Sequence, residues 1–338
     1  MKKIIFISGS YPPDICGVGD YTAKLIQSDI SHKHNWGIYY KSDWSYKNIA
    51  KYIKDINKSK PTHLILQYPT QGYGWSLVPH FMCIYFSLFS KIRFISVIHE
   101  FSNATFKNRL AEMILILFSN VIIVTNDFEN KSIRKCIPCK KNIKTIHICS
   151  NITASSTIKD YNERIYDFIY FGHIRPNKGI EDFINLLKNE YQYFKSKKIA
   201  IIGQIPIGFE AFFYKIKKEL ENYTVDFILN KPETEIAQLL NSAKFAYLPF
   251  PDGVSERRGS FLACIFNGVN VITTEGKYTT DELRNCVFIP QGHQDIVKYM
   301  SSMTHEKYIQ VQERLLYYTL NVIPTTWNDV AKKYLEIL

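Results

Sequence analysis

The residues best suited to chemistry lie between a predicted strand at 245–248 and a predicted helix that ends at Gly268. This stretch supplies hydroxyl, carboxylate and guanidinium groups from Ser255, Glu256, Arg257, Arg258, Gly259 and Ser260. Two guanidinium groups at the positive end of a helix dipole are unfavourable unless an anion is present. The pattern predicts a phosphate-binding site, the alternative being that both Arg side chains point into solvent.

A second cationic motif follows the predicted strand at 167–171. Gly172 is followed by His173, and Arg175 and Lys178 precede the next predicted helix. A guanidinium offers a planar pair of donors and an ammonium a compact charge, so Arg175 and Lys178 are suited to neutralising the two phosphates of a leaving nucleoside diphosphate. A solvated turn with surface cations is the alternative.

Two glycines, Gly17 and Gly19, stand where the first predicted strand leads into the first predicted helix. Glycine lets the backbone approach a ligand, and a helix N-terminus offers N–H groups to an anion. A dinucleotide fingerprint would need glycine at position 22, which is Thr22, so nicotinamide binding is not favoured. A tight strand-to-helix turn explains the glycines equally well.

His99 ends the predicted strand at 94–99. Side chains at the carboxyl ends of parallel strands line the usual ligand-binding edge of an open sheet. His99 is therefore a candidate for contact with a sugar hydroxyl or for a polar catalytic role, whereas a buried, hydrogen-bonded histidine is the alternative.

The elements that must position these residues alternate between strands and helices in both halves of the chain. Such alternation predicts parallel sheets covered by helices on both faces. In the first half, strands are predicted at 3–8, 36–40, 63–67, 94–99, 121–125 and 144–147, and helices at 21–31, 48–58, 78–91, 108–118 and 126–135. In the second half, strands are predicted at 167–171, 198–202, 225–229, 245–248, 269–273 and 287–289, and helices at 180–189, 209–221, 234–242, 260–266, 280–285 and 295–303.

The 338 residues are enough for two domains of ordinary size. A polar stretch at 152–164 is predicted to be an exposed connector between them. We expect two doubly wound α/β domains, at 1–155 and 165–324, that face each other across an interdomain cleft.

Composition excludes several classes of protein. Hydrophobic residues make up 46% and charged residues 22% of the chain, which is typical of globular proteins. The longest apolar stretch, 81–98, is interrupted by Lys91 and Arg93, so a membrane-spanning helix is not expected. The N-terminal apolar segment is too short for a secretion signal, and seven cysteines are an odd number, so reduced thiols and a cytoplasmic location are expected.

Metal binding is not predicted. The close pair Cys136 and Cys139 has no second pair and no histidine at ligand spacing. An Asp-x-Asp metal motif is also not evident.

The net charge of +11 is unevenly distributed. Residues 1–160 carry 21 Lys and Arg against 10 Asp and Glu, whereas residues 161–338 carry 21 of each. A basic first half predicts contact with phosphates of an anionic lipid or a phosphorylated acceptor. Nucleic acid is not predicted as a partner because no recognition motif accompanies the charge, and a general lysine bias remains the alternative.

These motifs, in this order, make the whole chain resemble the retaining family-4 glycosyltransferases of the GT-B fold. The resemblance is to bacterial enzymes of surface-polysaccharide synthesis, such as O-antigen and capsule pathways. It is carried by Pro12-Pro13 with Gly17 to Tyr21, His99-Glu100, Gly172 with Lys178-Gly179, the loop 252–260 with 268–274, and Thr326-Trp327 before the last helix.

The resemblance implies a role for each matching residue. Lys178 is placed on the donor diphosphate, Gly17 and Gly19 near the same phosphates, and His99 near the transferred sugar. It also implies that the C-terminal helix at 325–338 packs back on the first domain. Stabilisation of the leaving diphosphate by cations is an electrostatic task, so neither a metal nor a cofactor is expected.

The sequence departs from the family pattern at several of these positions. His173 stands where many members have arginine, so Arg175 is a candidate substitute. Ser255 and Ala263 replace two glutamates spaced eight residues apart, and Glu256 lies one residue out of register. We interpret this as a variant donor site in which Arg257 and Arg258 add phosphate binding.

The predicted function is retaining transfer of a sugar from a nucleoside-diphosphate donor to a glycan acceptor. A polyprenyl-diphosphate-linked acceptor at the inner face of the cell membrane would explain the basic first half. The segments 78–93 and 134–144 are predicted to contact anionic lipid as a peripheral membrane attachment. The alternative, suggested by Ala263, is a non-catalytic GT-B-like subunit that binds glycan or a partner protein.

Overall fold

A computed structural model describes residues 2–14, 16–137 and 141–338 of the chain. Contacts between α-carbons divide the chain into two compact units. Unit 1 comprises Met1–Ile148 together with Thr326–Leu338, and unit 2 comprises Cys149–Thr325. Each unit contains one parallel sheet with helices between its strands, which confirms the predicted α/β class.

The sheet of unit 1 has six parallel strands in the order β2-β1-β3-β4-β5-β6. The central strands are almost uninterrupted apolar runs because helices cover both faces of the sheet. In β1, for example, all five side chains are buried. The strands are β1 Ile4–Ser8, β2 Gly37–Tyr40, β3 His63–Tyr68, β4 Arg93–Ile98, β5 Val121–Val124 and β6 Ile143–Thr145.

Seven helices belong to the described part of unit 1: α1 Gly17–Ile26, α2 Asp29–Lys33, α3 Ile49–Ser59, α4 Val78–Phe89, α5 Phe106–Phe118, α6 Asp127–Cys136 and α15 Trp327–Ile337. The single helix predicted at 21–31 is therefore wrong. Ser28 is extended and its side chain accepts a hydrogen bond from the Ser31 N–H, so a new helix begins there.

The last helix of the chain packs on the core of unit 1. Tyr334 of α15 is fully buried, and its ring lies 5.9 Å from the ring of Phe6 in β1. Near the start of α15, the Asn328 side chain donates a hydrogen bond of 3.0 Å to the Asp29 carboxylate, which joins α15 to α2. Aromatic packing and polar contacts thus attach α15 to the N-terminal sheet.

The sheet of unit 2 has five parallel strands in the order β11-β10-β7-β8-β9. They are β7 Tyr166–His173, β8 Ile199–Gln204, β9 Val225–Leu229, β10 Ala243–Leu248 and β11 Asn270–Thr273. The helices are α7 Ile180–Asn189, α8 Tyr191–Phe194, α9 Glu210–Glu219, α10 Glu233–Asn241, α11 Gly259–Phe266, α12 Asp281–Cys286, α13 His293–Ser301 and α14 His305–Asn321.

Three elements of unit 2 differ from prediction, one of them the short helix α8, which was not predicted. The strand predicted at 287–289 is reduced to one bridge between Phe288 and Ile272, so β11 has no full neighbour on that side among the described residues. The 17-residue helix α14 was not predicted. Its buried side chains Tyr308, Val311, Leu315 and Tyr318 recur at helical spacing, which is the signal that could have revealed it.

The connector at 152–164 was predicted to be exposed, and this is wrong at its end. Arg164 is only 2% exposed. Its guanidinium donates to the carbonyl groups of Ala243 at 2.7 Å and Asn267 at 3.3 Å. These carbonyls lie at the start of β10 and just after α11, where the negative end of the helix dipole favours a cation. The rest of the connector is exposed or half-buried, as predicted.

Candidate functional site

The two cationic motifs of unit 2 lie against one another. Gly179 precedes α7 with a φ of +89°, and a Cβ built on it would lie 2.1 Å from the carbonyl oxygen of Pro249. Pro249 begins the loop that leads from β10 to α11. Only glycine permits both this backbone conformation and this approach. The close contact brings the loop after β7 and the loop after β10 to the same edge of the sheet.

Three cations meet where these loops touch. Burial lowers the pKa of Lys178, and the positive charges of Arg175 and Arg258 lower it further. Asp252 opposes this shift. Of these four side chains, three are cationic and one is a carboxylate, which is paired with Arg258. We refer to Arg175, Lys178, Asp252 and Arg258 as the cation cluster.

Arg258 is the most constrained member of the cation cluster. Its Nη2 pairs with the Asp252 carboxylate, and its guanidinium lies 4.9 Å from the centre of the Phe250 ring. Within the described part of the chain, its buried Nε has no hydrogen-bond partner. An arginine with one N–H unused, beside two further cations, is well placed to bind an anion.

A rigid framework holds the loop that carries Asp252 and Arg258. The Val254 N–H donates to the Thr274 carbonyl at 3.0 Å, and the Thr279 hydroxyl donates to the Val254 carbonyl at 3.0 Å. Gly253 has a φ of +84°, and its Cβ would lie 2.2 Å from the Gly276 nitrogen. The loop is thus fixed against the segment after β11 before any ligand is present.

The other residues of this loop have different environments. Ser255 and Glu256 are buried, and the negative charge of Glu256 contributes to raising the pKa of Tyr318 in α14, after the larger effect of burial. The Arg257 guanidinium lies 5.4 Å from the centre of the Tyr278 ring.

Gly259 and Ser260 begin α11, whose N-terminus has no side-chain cap in the described residues. Its first N–H groups can therefore serve an anion.

The end of β7 sets the turn that presents Lys178. The Tyr170 hydroxyl donates to the Lys178 carbonyl at 3.0 Å and lies 3.3 Å from the His173 carbonyl. Burial lowers the pKa of His173, and the nearby charges of Lys178 and Arg175 lower it further. His173 is therefore favoured in its neutral form, so it adds no further positive charge to the cluster near pH 7.

Asp252, Phe250 and Tyr170 are site residues that sequence reasoning did not single out. Phe250 and Asp252 occur in the loop already identified, but nothing in their spacing shows that Arg258 folds back onto both. Tyr170 lies in a run of three buried strand residues, 168–170, and nothing in the sequence distinguishes it from a core residue. Its function in fixing the Lys178 turn becomes apparent only from the contact.

The remaining candidates Gly17, Gly19 and His99 belong to unit 1. Gly17 begins α1, and a Cβ added to it would meet nothing within 4 Å. A Cβ on Gly19 would lie 3.0 Å from the Ser10 carbonyl oxygen, so this glycine lets α1 pack closely on the loop after β1. The requirement for glycine at 19 is thus explained by packing, whereas Gly17 is exposed at a helix start.

His99 follows β4 and is 7% exposed. Its Nε2 lies 2.9 Å from the Gln67 Oε1, and its ring meets the Tyr21 ring edge-on at 5.2 Å between centres. His99 is therefore a well-ordered side chain at the carboxyl edge of the unit 1 sheet.

The described residues contain neither a membrane-spanning helix nor a cluster of metal ligands. None of their helices is long and apolar enough to cross a bilayer. They also contain no group of three or more His, Cys, Asp or Glu side chains arranged to bind a metal ion. Of the cysteine pair considered above, Cys136 is exposed and free, and Cys139 lies outside the described residues.

Comparisons with known proteins identify relatives of the fold. No family model matches the chain, and no curated protein matches it in sequence. Among solved structures, a glycosyltransferase from Rickettsia africae superposes with a TM-score of 0.73 at 13% identity, covering 99% of this chain and 97% of that one. HepE from Anabaena, in complex with UDP and glucose, gives a TM-score of 0.69 at 12% identity, covering 100% of this chain and 99% of that one.

A third similar structure is sucrose-phosphate synthase from Thermosynechococcus elongatus, with a TM-score of 0.67 at 13% identity, covering 100% of this chain and 98% of that one. These structures are GT-B proteins, and the similarity extends over essentially the full length of each chain. At this level of identity, the comparison establishes architecture. With its sheets of six and five parallel strands, the chain has the GT-B fold.

Proposed function

We propose that the protein is a retaining glycosyltransferase that uses a nucleoside-diphosphate sugar. The observation that carries this proposal is the cation cluster, in which the loop after β7 and the loop after β10 bring Lys178 within the electrostatic influence of Arg175 and Arg258, with Asp252 opposing them. A diphosphate would add negative charge to this cluster. The uncapped N-terminus of α11 would add N–H donors to the same anion.

The fold supports a nucleotide sugar as the source of this diphosphate. HepE, which has the same architecture, was crystallised with UDP and glucose. In this chain Arg257 and Arg258 would bind phosphate oxygens, and Gly259 and Ser260 would contribute groups at the start of α11. Gly17 at the exposed start of α1 would allow close approach of a ligand, and Gly19 would hold that helix against the loop after β1. Ser255 and Glu256 complete the proposed donor-binding loop.

The cations act chemically on the leaving group. As the bond between the anomeric carbon and the diphosphate oxygen breaks, negative charge develops on that oxygen, and Lys178 and Arg175 stabilise it. A fixed cation in a partly buried site stabilises this charge without any rearrangement of solvent. Neither a metal ion nor a cofactor is required by this proposal.

Retention follows if the acceptor enters on the face from which the diphosphate departs. The acceptor hydroxyl forms the new bond to the anomeric carbon, and its proton passes to the departing phosphate oxygen. His99 is proposed to contact the transferred sugar. No protein general base is assigned.

We further propose that the acceptor is a glycan on a polyprenyl diphosphate, in bacterial surface-polysaccharide synthesis of the O-antigen or capsule type. Unit 1 supports this location at the inner face of the cell membrane because α4 and α5, which pack together, leave aromatic rings exposed. Phe89 is 74% and Phe106 77% exposed, with Lys91 and Lys107 beside them. Apolar rings next to lysines suit an anionic bilayer.

The predicted second lipid segment, 134–144, is only partly described, since residues 138–140 lie outside the described ranges. Lys135 and Lys144 are exposed, whereas the Arg134 side chain donates to the Asn130 side chain and to the Ile143 carbonyl. We therefore assign lysines rather than Arg134 to the lipid contact of this segment.

The proposal is tested by titrating the protein with UDP, ADP, GDP and their sugar conjugates in a calorimeter, followed by product analysis with a lipid-diphosphate acceptor. We expect heat from one nucleotide series, its loss in Arg258→Gln, and an α-linked product from an α-linked donor. Binding without transfer or hydrolysis would favour the non-catalytic alternative. If none of the nucleotides binds, the glycosyltransferase proposal is wrong.

Membrane attachment is tested separately by sedimentation with vesicles. We expect binding to vesicles of phosphatidylglycerol and phosphatidylcholine at low salt, weaker binding at high salt, and loss in the double variant Phe89→Ser with Phe106→Ser. Tyr214→Ser, which removes an equally exposed ring from unit 2, is the matched control. Equal sedimentation with and without vesicles would contradict the membrane proposal.

A further inference from the structure

We infer that Gln67, Tyr21 and Tyr334 are positioning residues that fix the ring of His99. The inference rests on the proposed function, since it concerns the histidine assigned to the transferred sugar. These four side chains come from β3, α1, α15 and the end of β4, and contacts connect them in the order Gln67, His99, Tyr21 and Tyr334 inside unit 1. The C-terminal helix thereby takes part in presenting a residue that lies more than 200 positions earlier in the sequence.

The strand register places Gln67 and His99 on the same face of the sheet. Gln67 is paired with Val97 across β3 and β4, and His99 is two residues beyond Val97. Side chains two apart on a strand share a face, and paired residues of neighbouring strands do so too. The backbone N–H of His99 also donates to the backbone carbonyl of Tyr68 at 3.0 Å, which extends the pairing of the two strands to the histidine itself.

Gln67 determines which ring nitrogen of His99 carries hydrogen. The Gln67 Oε1 lies 2.9 Å from Nε2 and accepts a hydrogen bond from it. Because Gln67 is fully buried, water does not compete for this bond. Neutral His99 is therefore held with hydrogen on Nε2 and an acceptor at Nδ1.

Tyr21 determines the plane of the ring. Its own ring meets His99 edge-on with centres 5.2 Å apart, and its hydroxyl lies 2.9 Å from the Tyr334 hydroxyl. Trp327 of α15 also packs edge-on against Tyr21, with ring centres 5.2 Å apart. Tyr21 is thus held between His99 and the C-terminal helix.

Tyr334 supports Tyr21 from the C-terminal helix. Its hydroxyl lies 2.9 Å from the Tyr21 hydroxyl, and both groups are buried. Removing this hydroxyl should loosen the support that Tyr21 gives to His99 while leaving α15 in place. The helix is anchored separately by the Asn328 side chain, which accepts from the Ile30 N–H at 3.2 Å and donates to Asp29.

The test compares three variants with the wild-type protein. Gln67→Met keeps the length of the side chain but cannot accept from Nε2, Gln67→Glu keeps an acceptor oxygen, and Tyr334→Phe removes one hydroxyl. Tyr223→Phe is the matched control, because it removes a hydroxyl that bonds only a carbonyl, that of Leu187, in unit 2. Each variant is assayed for kcat and KM and examined by 15N spectroscopy of the histidine rings.

We expect Gln67→Met to lower kcat about 10- to 100-fold, as is typical when a residue that orients an active-site ligand is lost, with little change in KM for the donor. Its His99 spectrum should lose the pattern of hydrogen on Nε2. Gln67→Glu should restore that pattern and most of kcat, with a changed pH profile. Tyr334→Phe should lower kcat about 10-fold, and Tyr223→Phe should match wild type.

The spectroscopic measurement separates this inference from the proposed function. If the wild-type protein transfers no sugar but Gln67→Met still changes the tautomer of His99, the proposed function fails and the positioning by Gln67 stands. An unchanged His99 spectrum in Gln67→Met would overturn the inference, and so would a kcat in Gln67→Met and Tyr334→Phe equal to that of wild type.

Discussion

The backbone of Gly179 contacts the carbonyl group of Pro249, at a distance that leaves no room for a side chain. This contact joins the loop after β7 to the loop after β10, which are 70 residues apart in the sequence. The cation cluster depends on it, because Lys178 precedes Gly179 and Arg258 lies at the end of the loop that Pro249 begins. The approach of two backbones therefore decides which charges meet.

Gly179→Ala should separate these loops. The substitution combines a positive φ with a Cβ 2.1 Å from a carbonyl oxygen, so we expect a loss of at least ~1 kcal/mol in the free energy of unfolding and weaker nucleotide binding. Gly292→Ala is the control, because its Cβ meets nothing within 4 Å and its φ is −176°. Urea denaturation and calorimetry measure both effects. Equal results for the two variants would contradict this account.

Lys178→Gln should affect stability and binding in opposite directions. Without a ligand, the substitution relieves repulsion from Arg175 and Arg258, so the melting temperature should stay the same or rise. With nucleotide at 100 times its Kd, the wild type should gain about 2.7 kcal/mol and the variant almost nothing. Transfer should fall roughly 10²- to 10³-fold. A variant that is less stable without nucleotide, yet binds nucleotide normally, would rule out the cation cluster as the diphosphate site.

Glu112→Gln should change how stability depends on pH. The pKa of Glu112 is raised to about 8, mainly by burial and then by the carboxylates of Glu129 and Glu100, whereas Arg109 opposes the shift. The folded chain therefore keeps a proton that the unfolded chain loses above about 4.5. Stability should fall as pH rises from about 4.5 to about 8, by up to ~1.4 kcal/mol per pH unit for this group.

The amide of Glu112→Gln carries no charge at any of these pH values. The decrease in the free energy of unfolding between pH 4.5 and 8 should therefore be smaller in the variant than in the wild type. Urea denaturation of both proteins at pH 5.5, 7.0 and 8.5 measures the difference. Parallel decreases in the free energy of unfolding would show that Glu112 is not the group responsible.

Arg164→Met should destabilise unit 2. The guanidinium is buried and donates to carbonyl groups at the start of β10 and the end of α11, and methionine would leave these acceptors unpaired. We expect a loss of about 2–4 kcal/mol. Arg284→Met is the control, because this exposed arginine pairs with Glu275 and Asp281 at the surface and should contribute little to stability. Comparable losses in thermal denaturation would contradict the prediction.

The order of strands and helices was largely evident in the sequence. Apolar runs such as 63–67 and 121–125 can be buried on both faces only in a parallel sheet, and turn residues separate them from helical patterns. The failures have local physical causes. Ser28 caps a new helix inside an otherwise helical pattern, and Phe288 follows a strand-like pattern but makes only one bridge.

The sequence indicated which loops carry the candidate site, but not how their side chains contact one another. Residue types at the ends of β7 and β10 indicated an anion site, because cations before a helix start need a negative partner. The sequence did not show that Arg258 folds back onto Phe250 and Asp252, or that Arg164 is buried rather than exposed. Both depend on contacts between residues far apart along the chain.

Local patterning by itself determined the α/β class, the places where loops carry functional groups, and the excess of positive charge in the first half. Hydrophobic periodicity and turn chemistry act over a few residues, so they can be read directly. Only the tertiary structure decided that Lys178 meets Arg258, and that Tyr334 supports His99 through Tyr21. Such pairings are set by the order of strands and by close backbone contacts, which no short stretch of sequence encodes.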